Sequence, residues 1–463
     1  MNTTLSDRLI GGLLVLVALM VILGEWHLVG NFGPLLPVLM TALTLLMALR
    51  VAPGRLAFVA VAVLLTVALI LLVDDWRTHA INGLRTASFI AAFYCALATL
   101  RSAAERDGSM RAAGRFLAQQ PPGRRYLALT AGGQMFALVL NYGSIALLGA
   151  LATASAREEP DVEIRNHRTR RMLLAIQRAF VSTLPWSPLS FAVAITTSVV
   201  PGTSWGTVLI PGLGTSVLLA GTGWALDTLF KPRLSHPAPP RRTPEGTWAL
   251  MLPLLVLLLV LGLGITVLEL LTGFRIVGIV LVVVPAMAVA WTARQARQGG
   301  EPLAARLADF AFRELPGYRS EVILLMMAGY IGTVGAPLLV PVMQSSGFHP
   351  ETLPTWLVLV SFVWLIPAAG QIGMNPILAI SLIAPLIPPA SALGVTPSAI
   401  VGAITAGWAL SGASSPFTAT TLLIGSFGNV SARHVGLRWN GLYMIVSLVL
   451  LSAWVLVYAR LTA

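Results

Sequence analysis

Charged residues and cysteine are scarce in this chain of 463 residues, of which 10% are charged and one, Cys95, is a cysteine. A single cysteine excludes an intramolecular disulfide, and no group of Cys and His has the spacing of a metal site. Hydrophobic residues make up 56% of the chain, and the apolar runs are too long for the strands of an outer-membrane barrel. The composition therefore predicts an all-α polytopic membrane protein that needs no cofactor.

The formal net charge of +12 could indicate nucleic-acid binding. The arginines, however, lie between the apolar runs, where they orient a membrane protein, so we expect a lipid bilayer as partner and no nucleic acid. The first run has no small-residue cleavage site after it, which indicates a retained span rather than a signal peptide. About eleven runs of spanning length are predicted, at 9–25, 33–49, 57–73, 87–100, 172–200, 207–229, 248–271, 274–292, 322–343, 395–425 and 439–459.

Two further apolar stretches, 126–156 and 356–388, are longer than one crossing needs and carry helix breakers near their centres. Gly and Pro interrupt a membrane helix, and the freed backbone groups need partners in protein, water or solute. Broken segments at corresponding places of two halves indicate the binding site of a transporter. The central residues are Asn141, Tyr142, Gly143 and Ser144 in the first stretch and Gly373, Asn375 and Pro376 in the second.

Charge predicts how these two stretches enter the membrane. Arginines fill both flanks of the first, 101–125 and 157–171, so both flanks belong in the cytoplasm and the stretch is an inward-opening re-entrant hairpin. The flanks of the second, 344–355 and 389–396, contain no Lys or Arg, which predicts an outward-opening hairpin. With this threading, 25 of the 30 Lys and Arg residues lie inside, the N-terminus is cytoplasmic and the C-terminus is outside.

The predicted organisation is one leading span followed by two inverted repeats. Residues 1–32 form the leading transmembrane helix, and 33–229 form the first repeat. The basic, Pro-rich segment 230–247 is a cytoplasmic linker, and 248–463 form the second repeat. Each repeat has an odd number of spans, so the second is inverted relative to the first.

A rival register aligns the two GWAL tetrapeptides, Gly223–Leu226 and Gly407–Leu410. It would place the second hairpin near 321–345. Arginines would then lie on only one flank of that hairpin, so the charge pattern favours the first register.

A second broken place follows each hairpin, in the fifth and tenth spans. Proline prevents a mid-helix hydrogen bond, so each break leaves helix ends whose N–H groups suit an anion and whose carbonyls suit a cation such as sodium. The residues predicted to bind the solute are Asn141, Tyr142, Gly143, Ser144, Ser187, Asn375, Ser414, Ser415 and Thr418. Those predicted to bind a coupling ion are Ser182, Thr183, Pro185, Gly373, Ser411 and Gly412. Packing of small residues or a simple kink is the alternative for each break.

Four other residues have two interpretations each. Gln134 and Gln371 either contact the solute or form hydrogen bonds between helices. Trp186 either lines the cavity or packs, and Arg178 either attracts an anion or reaches back to the membrane interface. No carboxylate lies in the breaks, which disfavours a sodium/proton antiporter, because that class places an Asp or Glu in the ion path.

This pattern resembles the ion transporter superfamily, and within it the divalent anion/sodium symporters. In that family the hairpin tips carry Ser-Asn-Thr, and here they read Leu140-Asn141-Tyr142 and Met374-Asn375-Pro376. The prolines of the broken spans correspond to Ser187-Pro188 and Ser415-Pro416. The arsenite permease and citrate transporter branches also remain open.

The resemblance implies a homodimer and an elevator mechanism, in which scaffold spans hold the dimer while hairpins and broken spans move. The Arg-rich segment 101–125, with its apolar residues, is then either an interfacial arm between the two parts or a plain loop.

We therefore predict a secondary active transporter of a small organic or inorganic anion in the cell inner membrane, coupled to a sodium or proton gradient. The membrane subunit of an arsenite-type efflux pump, or another antiporter of the superfamily, is the alternative. An enzyme is not expected, because the six His residues fall in loops or at span ends and form no catalytic group.

Overall fold

Helices dominate the fold, and no β-strand occurs in the part of the chain that the structure describes, which confirms the expected all-α class. Residues 233–234 and 236–245, most of the predicted linker, lie outside the described residues. The computed structural model describes residues 5–29, 32–121, 123–232, 235, 246–347 and 349–463.

The helices before the linker are α1 (Leu5–Glu25), α2 (Leu35–Ala48), α3 (Pro53–Leu72), α4 (Trp76–Glu105), α5 (Gly108–Ala118), α6 (Arg125–Leu140), α7 (Tyr142–Arg157), α8 (Val162–Thr183), α9 (Phe191–Val199) and α10 (Trp205–Leu229). Those after it are α11 (Leu252–Thr272), α12 (Ile276–Arg297), α13 (Leu303–Asp309), α14 (Leu315–Gly317), α15 (Arg319–Ser345), α16 (Thr355–Gln371), α17 (Pro376–Ile383), α18 (Ala390–Leu393), α19 (Pro397–Ser414), α20 (Ala419–Gly428) and α21 (Gly441–Thr462). Turns of 3-10 helix occupy Trp248–Met251, Pro350–Thr352 and Ala384–Leu386, and π-helical turns occupy Phe310–Glu314 and His434–Trp439.

Polar side chains set several helix N-termini. The carboxylates of Asp107 and Asp161 each accept the backbone N–H two residues further on, at 2.8 Å, and so begin α5 and α8. The hydroxyl of Ser190 accepts the N–H of Val193 at 3.2 Å and begins α9. These side chains satisfy N–H groups that have no partner within the helix.

Among the described residues, eight helices are long and apolar enough to cross a membrane, and they coincide with eight of the predicted spans. They are α1, α3, α4, α10, α11 with its preceding turn, α12, α15 and α21. The three remaining predicted spans are the 14-residue α2 and the two broken helices, α8–α9 and α19–α20. The multi-pass helical architecture expected from the hydropathy pattern is thus present.

The chain forms two compact units, and each draws on both halves of the sequence. The first unit comprises residues 1–103, 261–352 and 377–387. The second unit comprises residues 104–260, 353–376 and 388–463. The second unit contains both broken helices, the α6–α7 pair and α16.

In the first unit, α15 is a single helix that packs on α3 and α4. The Tyr330 hydroxyl lies 2.8 Å from the hydroxyl of Thr66 on α3. On its other side, Gly332 allows α17 to approach so closely that a Cβ would overlap Ser381. Because α15 runs unbroken from Arg319 to Ser345, the rival register, which needed a hairpin near 321–345, is wrong.

In the second unit, the first hairpin lies along α8. Tyr126 and Gln134 of α6 contact Arg178 and Ser182 of α8, in that order, so the two helices run parallel. At Gly133, a Cβ would lie 2.8 Å from that of Ala179. Glycine at this position therefore permits the close approach of α6 to α8.

The second half repeats this packing with α16 and α19. The backbone of Phe362 lies directly against Gly407, where a Cβ would also come within 3.2 Å of Ile366. Further along both helices, Gln371 reaches Ser414. The order of these contacts shows that α16 and α19 also run parallel.

The segment between the fourth span and the first hairpin is a packed helix. Its apolar residues Met110, Phe116 and Leu117 are buried in the second unit. The Phe116 ring meets the Trp248 ring edge to face, with centroids 5.1 Å apart, and the Leu117 side chain fills the space that a Cβ would need at Gly132. The apolar face of α5 is therefore covered by protein rather than left as a free arm.

Candidate functional site

The first predicted tip is a turn between two helices at Asn141. Its φ of +50° ends α6, and α7 begins at the next residue. A positive φ is tolerated by Asn better than by most residues. The Asn141 carbonyl accepts the N–H of Ser144 at 3.0 Å and the Ser144 hydroxyl at 2.7 Å. The Tyr142 ring packs on Phe180 of α8 with centroids 4.9 Å apart, so the tip contacts the end of the broken helix, while Gly143 is buried in the first turn of α7.

The second predicted tip follows α16. Gly373 has a φ of +94°, a conformation that favours glycine, and the N–H of Met374 returns to the Ala369 carbonyl at 3.1 Å. The Phe417 ring, which follows the break in α19, lies 3.9 Å from the Cβ position of Gly373. Asn375 is the last residue before α17. The arms α16 and α17 belong to different units, so the hairpin predicted over 356–388 stays a prediction.

The first break separates α8 from α9 over residues 184–190. The Thr183 hydroxyl donates to its own helix, at Phe180 O. The Ser187 hydroxyl accepts the N–H of Leu189 at 3.1 Å, so both polar groups are used within the break. The Pro185 carbonyl lies directly against Gly212 of α10.

The second break separates α19 from α20 and is lined with hydroxyls. Thr420 donates to the Gly412 carbonyl, and Thr418 donates to Ser415 O at 2.9 Å. Thr421 donates to the same Ser415 carbonyl at 2.5 Å. Side-chain donors thus occupy carbonyls that the break leaves free.

The two breaks lie next to each other within the second unit. A Cβ at Gly412 would lie 3.2 Å from Val181 and 3.5 Å from Leu184, at the end of α8. The Gln177 amide of α8 donates to the Ala413 carbonyl at 3.2 Å, close to the end of α19. The ends of the two broken helices therefore meet directly.

A glutamine on the first arm of each predicted hairpin bonds to a serine near the end of the broken helix. Gln134 Nε2 donates to Ser182 Oγ at 2.9 Å. Gln371 Nε2 donates to Ser414 Oγ at 3.2 Å. Of the two interpretations of these glutamines, the hydrogen bond between helices is the one observed. The pair occurs once in each half, which is the clearest sign of repetition in the site.

Ser411, in the last turn of α19 before the second break, has a fully buried side-chain hydroxyl without a hydrogen-bond partner. The hydroxyl faces Gly370, where a Cβ would lie 2.5 Å from it and 3.1 Å from the Ser415 Cβ. Ser415 in turn donates to the Gly370 carbonyl at 2.6 Å. A buried hydroxyl without a partner is costly, so it marks a position where a solute or ion could bind.

Arg178 is buried in the second unit, with 5% of the residue exposed. Its Nε donates to Asn440 Oδ1 at 3.1 Å, and its Nη1 donates to Tyr126 OH at 3.0 Å. Asn440 also donates to Gln177 Oε1 at 2.9 Å and to Ala413 O at 3.2 Å. This network ties α6, α8 and α19 together at the breaks. The sequence pattern did not single out Asn440 or Gln177, although a buried amide inside an apolar run is a usable signal.

Formal negative charge is absent from both breaks, as expected from the sequence. Asp227 of α10 accepts two hydrogen bonds from Arg171, at 2.7 Å each. Among the described residues, no group of three or more His, Cys, Asp or Glu could hold a metal ion. The site can therefore offer hydroxyls, amides, backbone groups and one nearby guanidinium.

These helices give the fold of an all-α, multi-pass membrane protein. The structure is similar to that of the YdaH transporter of Alcanivorax borkumensis, with a TM-score of 0.58 and 15% identity over 88% of this chain and 99% of that one. It is also similar to MtrF of Neisseria gonorrhoeae, from a class of antimetabolite efflux pumps, with a TM-score of 0.53 and 15% identity over 88% of this chain and 96% of that one. No protein-family model and no curated protein sequence matches the chain. Similarity at this identity establishes the fold, while the solute must be argued from the site.

Proposed function

We propose that this protein is a secondary active transporter of a small anionic or polar solute, driven by a sodium or proton gradient. The observation that carries the proposal is the meeting of two broken helices, one from each half of the chain, in one compact unit. Interrupted helices from two repeats form the substrate and ion sites of many secondary transporters. Both structural neighbours are transporters, which also supports this class over an enzyme.

The solute site of this proposal lies at the two breaks and the two tips. Hydroxyl groups of Ser411, Ser414, Ser415 and Ser182 supply neutral donors and acceptors, which suit an anion bound without a metal. A coupling sodium ion would need oxygen ligands. If the threonine hydroxyls in the second break rotated, their lone pairs would point toward such an ion. The carbonyls to which they now donate would also become free to bind it.

An elevator mechanism fits the division into two units. The second unit contains the broken helices and the first hairpin, which are the parts expected to move. The first unit contains α1–α4 and α12–α15, which are the parts expected to serve as scaffold. Three elements differ from the sequence-based expectation. The continuous spans α10 and α21, expected in the scaffold, belong to the second unit, and α17, predicted to move with the second hairpin, belongs to the first unit. The glycines at 332 and 335 explain the placement of α17, because they let α17 pack tightly on α15.

Membership of the ion transporter superfamily, a homodimer, an inner-membrane location and a cytoplasmic N-terminus are part of the same proposal. The basic segments 101–125 and 157–171, on the two flanks of the first hairpin, support this orientation. Labelling of single cysteines at exposed positions of these segments, in right-side-out vesicles and in a Cys95→Ser background, tests it. Both segments should react only after the membrane is permeabilised, and reaction of either from outside contradicts the inward-opening hairpin.

Transport itself is tested with purified protein in liposomes. Thermal unfolding with a panel of small anions, with and without sodium, first identifies a bound solute. Uptake of that solute is then measured under an imposed sodium or proton gradient and after the gradient is dissipated with an ionophore. Gradient-dependent uptake supports the proposal, and uptake that persists without a gradient contradicts the coupling.

Export is the second candidate function, favoured by the similarity to MtrF. In that case the protein is an antiporter or the membrane subunit of an efflux pump. Export would be supported if everted vesicles accumulate the solute and right-side-out vesicles do not. A requirement for ATP and a separate soluble protein would identify the pump subunit.

A further inference from the structure

Arg178 is a buried cation whose contacts, within the described part of the chain, are all with neutral groups. Its Nη1 donates to Tyr126 OH at 3.0 Å and to Gly223 O at 3.5 Å, and its Nε donates to Asn440 Oδ1. The guanidinium also lies over the ring of Tyr443, with its central carbon 4.4 Å from the ring centroid. These groups orient the cation and solvate it in part, but none of them cancels its charge.

The nearest carboxylate along the neighbouring helix is already engaged. Asp227 lies one turn beyond Gly223 on α10, and both of its oxygens bond to Arg171 at 2.7 Å. Asp227 is therefore paired with Arg171, and the guanidinium of Arg170, which interacts electrostatically with Arg178, adds further positive charge nearby. Gly223 of α10 leaves room for Arg178, because a Cβ at this position would lie 2.7 Å from the Tyr126 hydroxyl and 3.1 Å from the Arg178 Cδ.

This charge lies beside the two breaks. Ser182, which accepts the hydrogen bond of Gln134, follows Arg178 by four residues, about 6 Å along α8. On the other side, Asn440 connects the guanidinium to the Ala413 carbonyl, immediately before Ser414. An uncompensated charge in a poorly solvated protein interior acts over such distances.

We propose that Arg178 is the electrostatic determinant that makes the site at the two breaks select anions over neutral solutes. The inference rests on the proposed function, and it deepens it by naming the sign of the solute's charge and the residue that selects it. For unit charges about 8 Å apart in an effective dielectric of about 20, the attraction corresponds to roughly a 30-fold change in affinity. The neutral hydroxyls and amides of the breaks then position the solute, while the arginine supplies the preference for negative charge.

The test is a set of dissociation constants for purified full-length protein in detergent, measured by titration calorimetry without any ion gradient. The probes are benzoate with its neutral isostere benzamide, and succinate, phosphate and sulfate. The wild type should bind at least one anion, and Arg178→Met should bind it at least about tenfold more weakly, with benzamide affinity unchanged. Arg178→Lys, which keeps the charge, should stay within about threefold of the wild type. Arg438→Met removes a positive charge from an exposed position of the same unit and should bind as the wild type does.

Three results would overturn the inference: a wild type that binds none of these anions more tightly than benzamide, an Arg178→Met variant with wild-type anion affinity, or a Lys variant as weak as the Met variant. The last result would mean that Arg178 acts through hydrogen-bond geometry. Should Arg178→Met fail to fold, as judged by gel filtration, Arg178→Gln replaces it in the comparison with Lys. Because no gradient is used, a failure of driven transport would count against the proposed function and leave this inference standing.

Discussion

Replacement of Gly370 by alanine should push α16 away from the second break. The new Cβ would lie 2.5 Å from Ser411 Oγ and 3.1 Å from Ser415 Cβ, both closer than side chains normally pack. Overpacking of this kind costs about 1–3 kcal/mol. It should also lengthen the 2.6 Å hydrogen bond from Ser415 to the Gly370 carbonyl. We therefore expect a lower thermal unfolding temperature in detergent and a loss of transport in proteoliposomes.

Two further variants separate this effect from a general effect of alanine. Gly221 of α10 has no atom near its Cβ position, so Gly221→Ala should leave transport unchanged and raise stability by about 0.5–1 kcal/mol. Ser411→Ala removes the atom nearest to the new Cβ, a hydroxyl oxygen without a hydrogen-bond partner. The double variant Gly370→Ala/Ser411→Ala should therefore recover part of the stability that Gly370→Ala loses. Equal unfolding temperatures and equal transport for the Gly370 and Gly221 variants would refute the packing described here.

The remaining predictions concern the hydrogen bonds and tips of the site. Gln134→Ala and Gln371→Ala each remove one hydrogen bond to a serine, so each should lower the free energy of unfolding by about 1 kcal/mol and reduce transport. Wild-type transport by both variants would refute a role of these glutamines in the site. Asn141→Ala and Asn375→Ala should abolish or severely weaken transport while gel filtration shows folded protein, and normal transport by both removes the tips from the site.

The parts of the fold that could be predicted from the sequence are those with local signals. Long apolar runs marked the spans that are continuous helices, because a bilayer needs about 20 apolar residues to be crossed. Prolines beside hydroxyls marked the breaks after Thr183 and Ser414, where the helices do end. A turn at Asn141 followed from the polar residues and glycine at 141–144 in an otherwise apolar stretch.

The features that could not be predicted from the sequence depend on contacts between distant parts of the chain. Asn440 bonds to Arg178, which is 262 residues away, and neither residue has a local pattern that reveals the other. The placement of α17 in the first unit follows from its contact with α15 at Gly332. A side chain at position 332 would overlap Ser381 of α17, so the close contact depends on a residue outside α17. Hydropathy likewise could not show that the apolar face of α5 is covered by protein.

The most direct test of the solute site is protection of the second break from a thiol reagent. Thr418, half-buried at this break, is replaced by cysteine in a Cys95→Ser background, and the rate of its reaction with a maleimide is measured with and without the anion that stabilises the protein. A cysteine at Gly221, an exposed position of α10 with no atom near its Cβ position, serves as the control. We predict that the anion slows the reaction at 418 and not at 221. An unchanged rate at 418 under saturating anion would contradict a solute site at the meeting of the two broken helices.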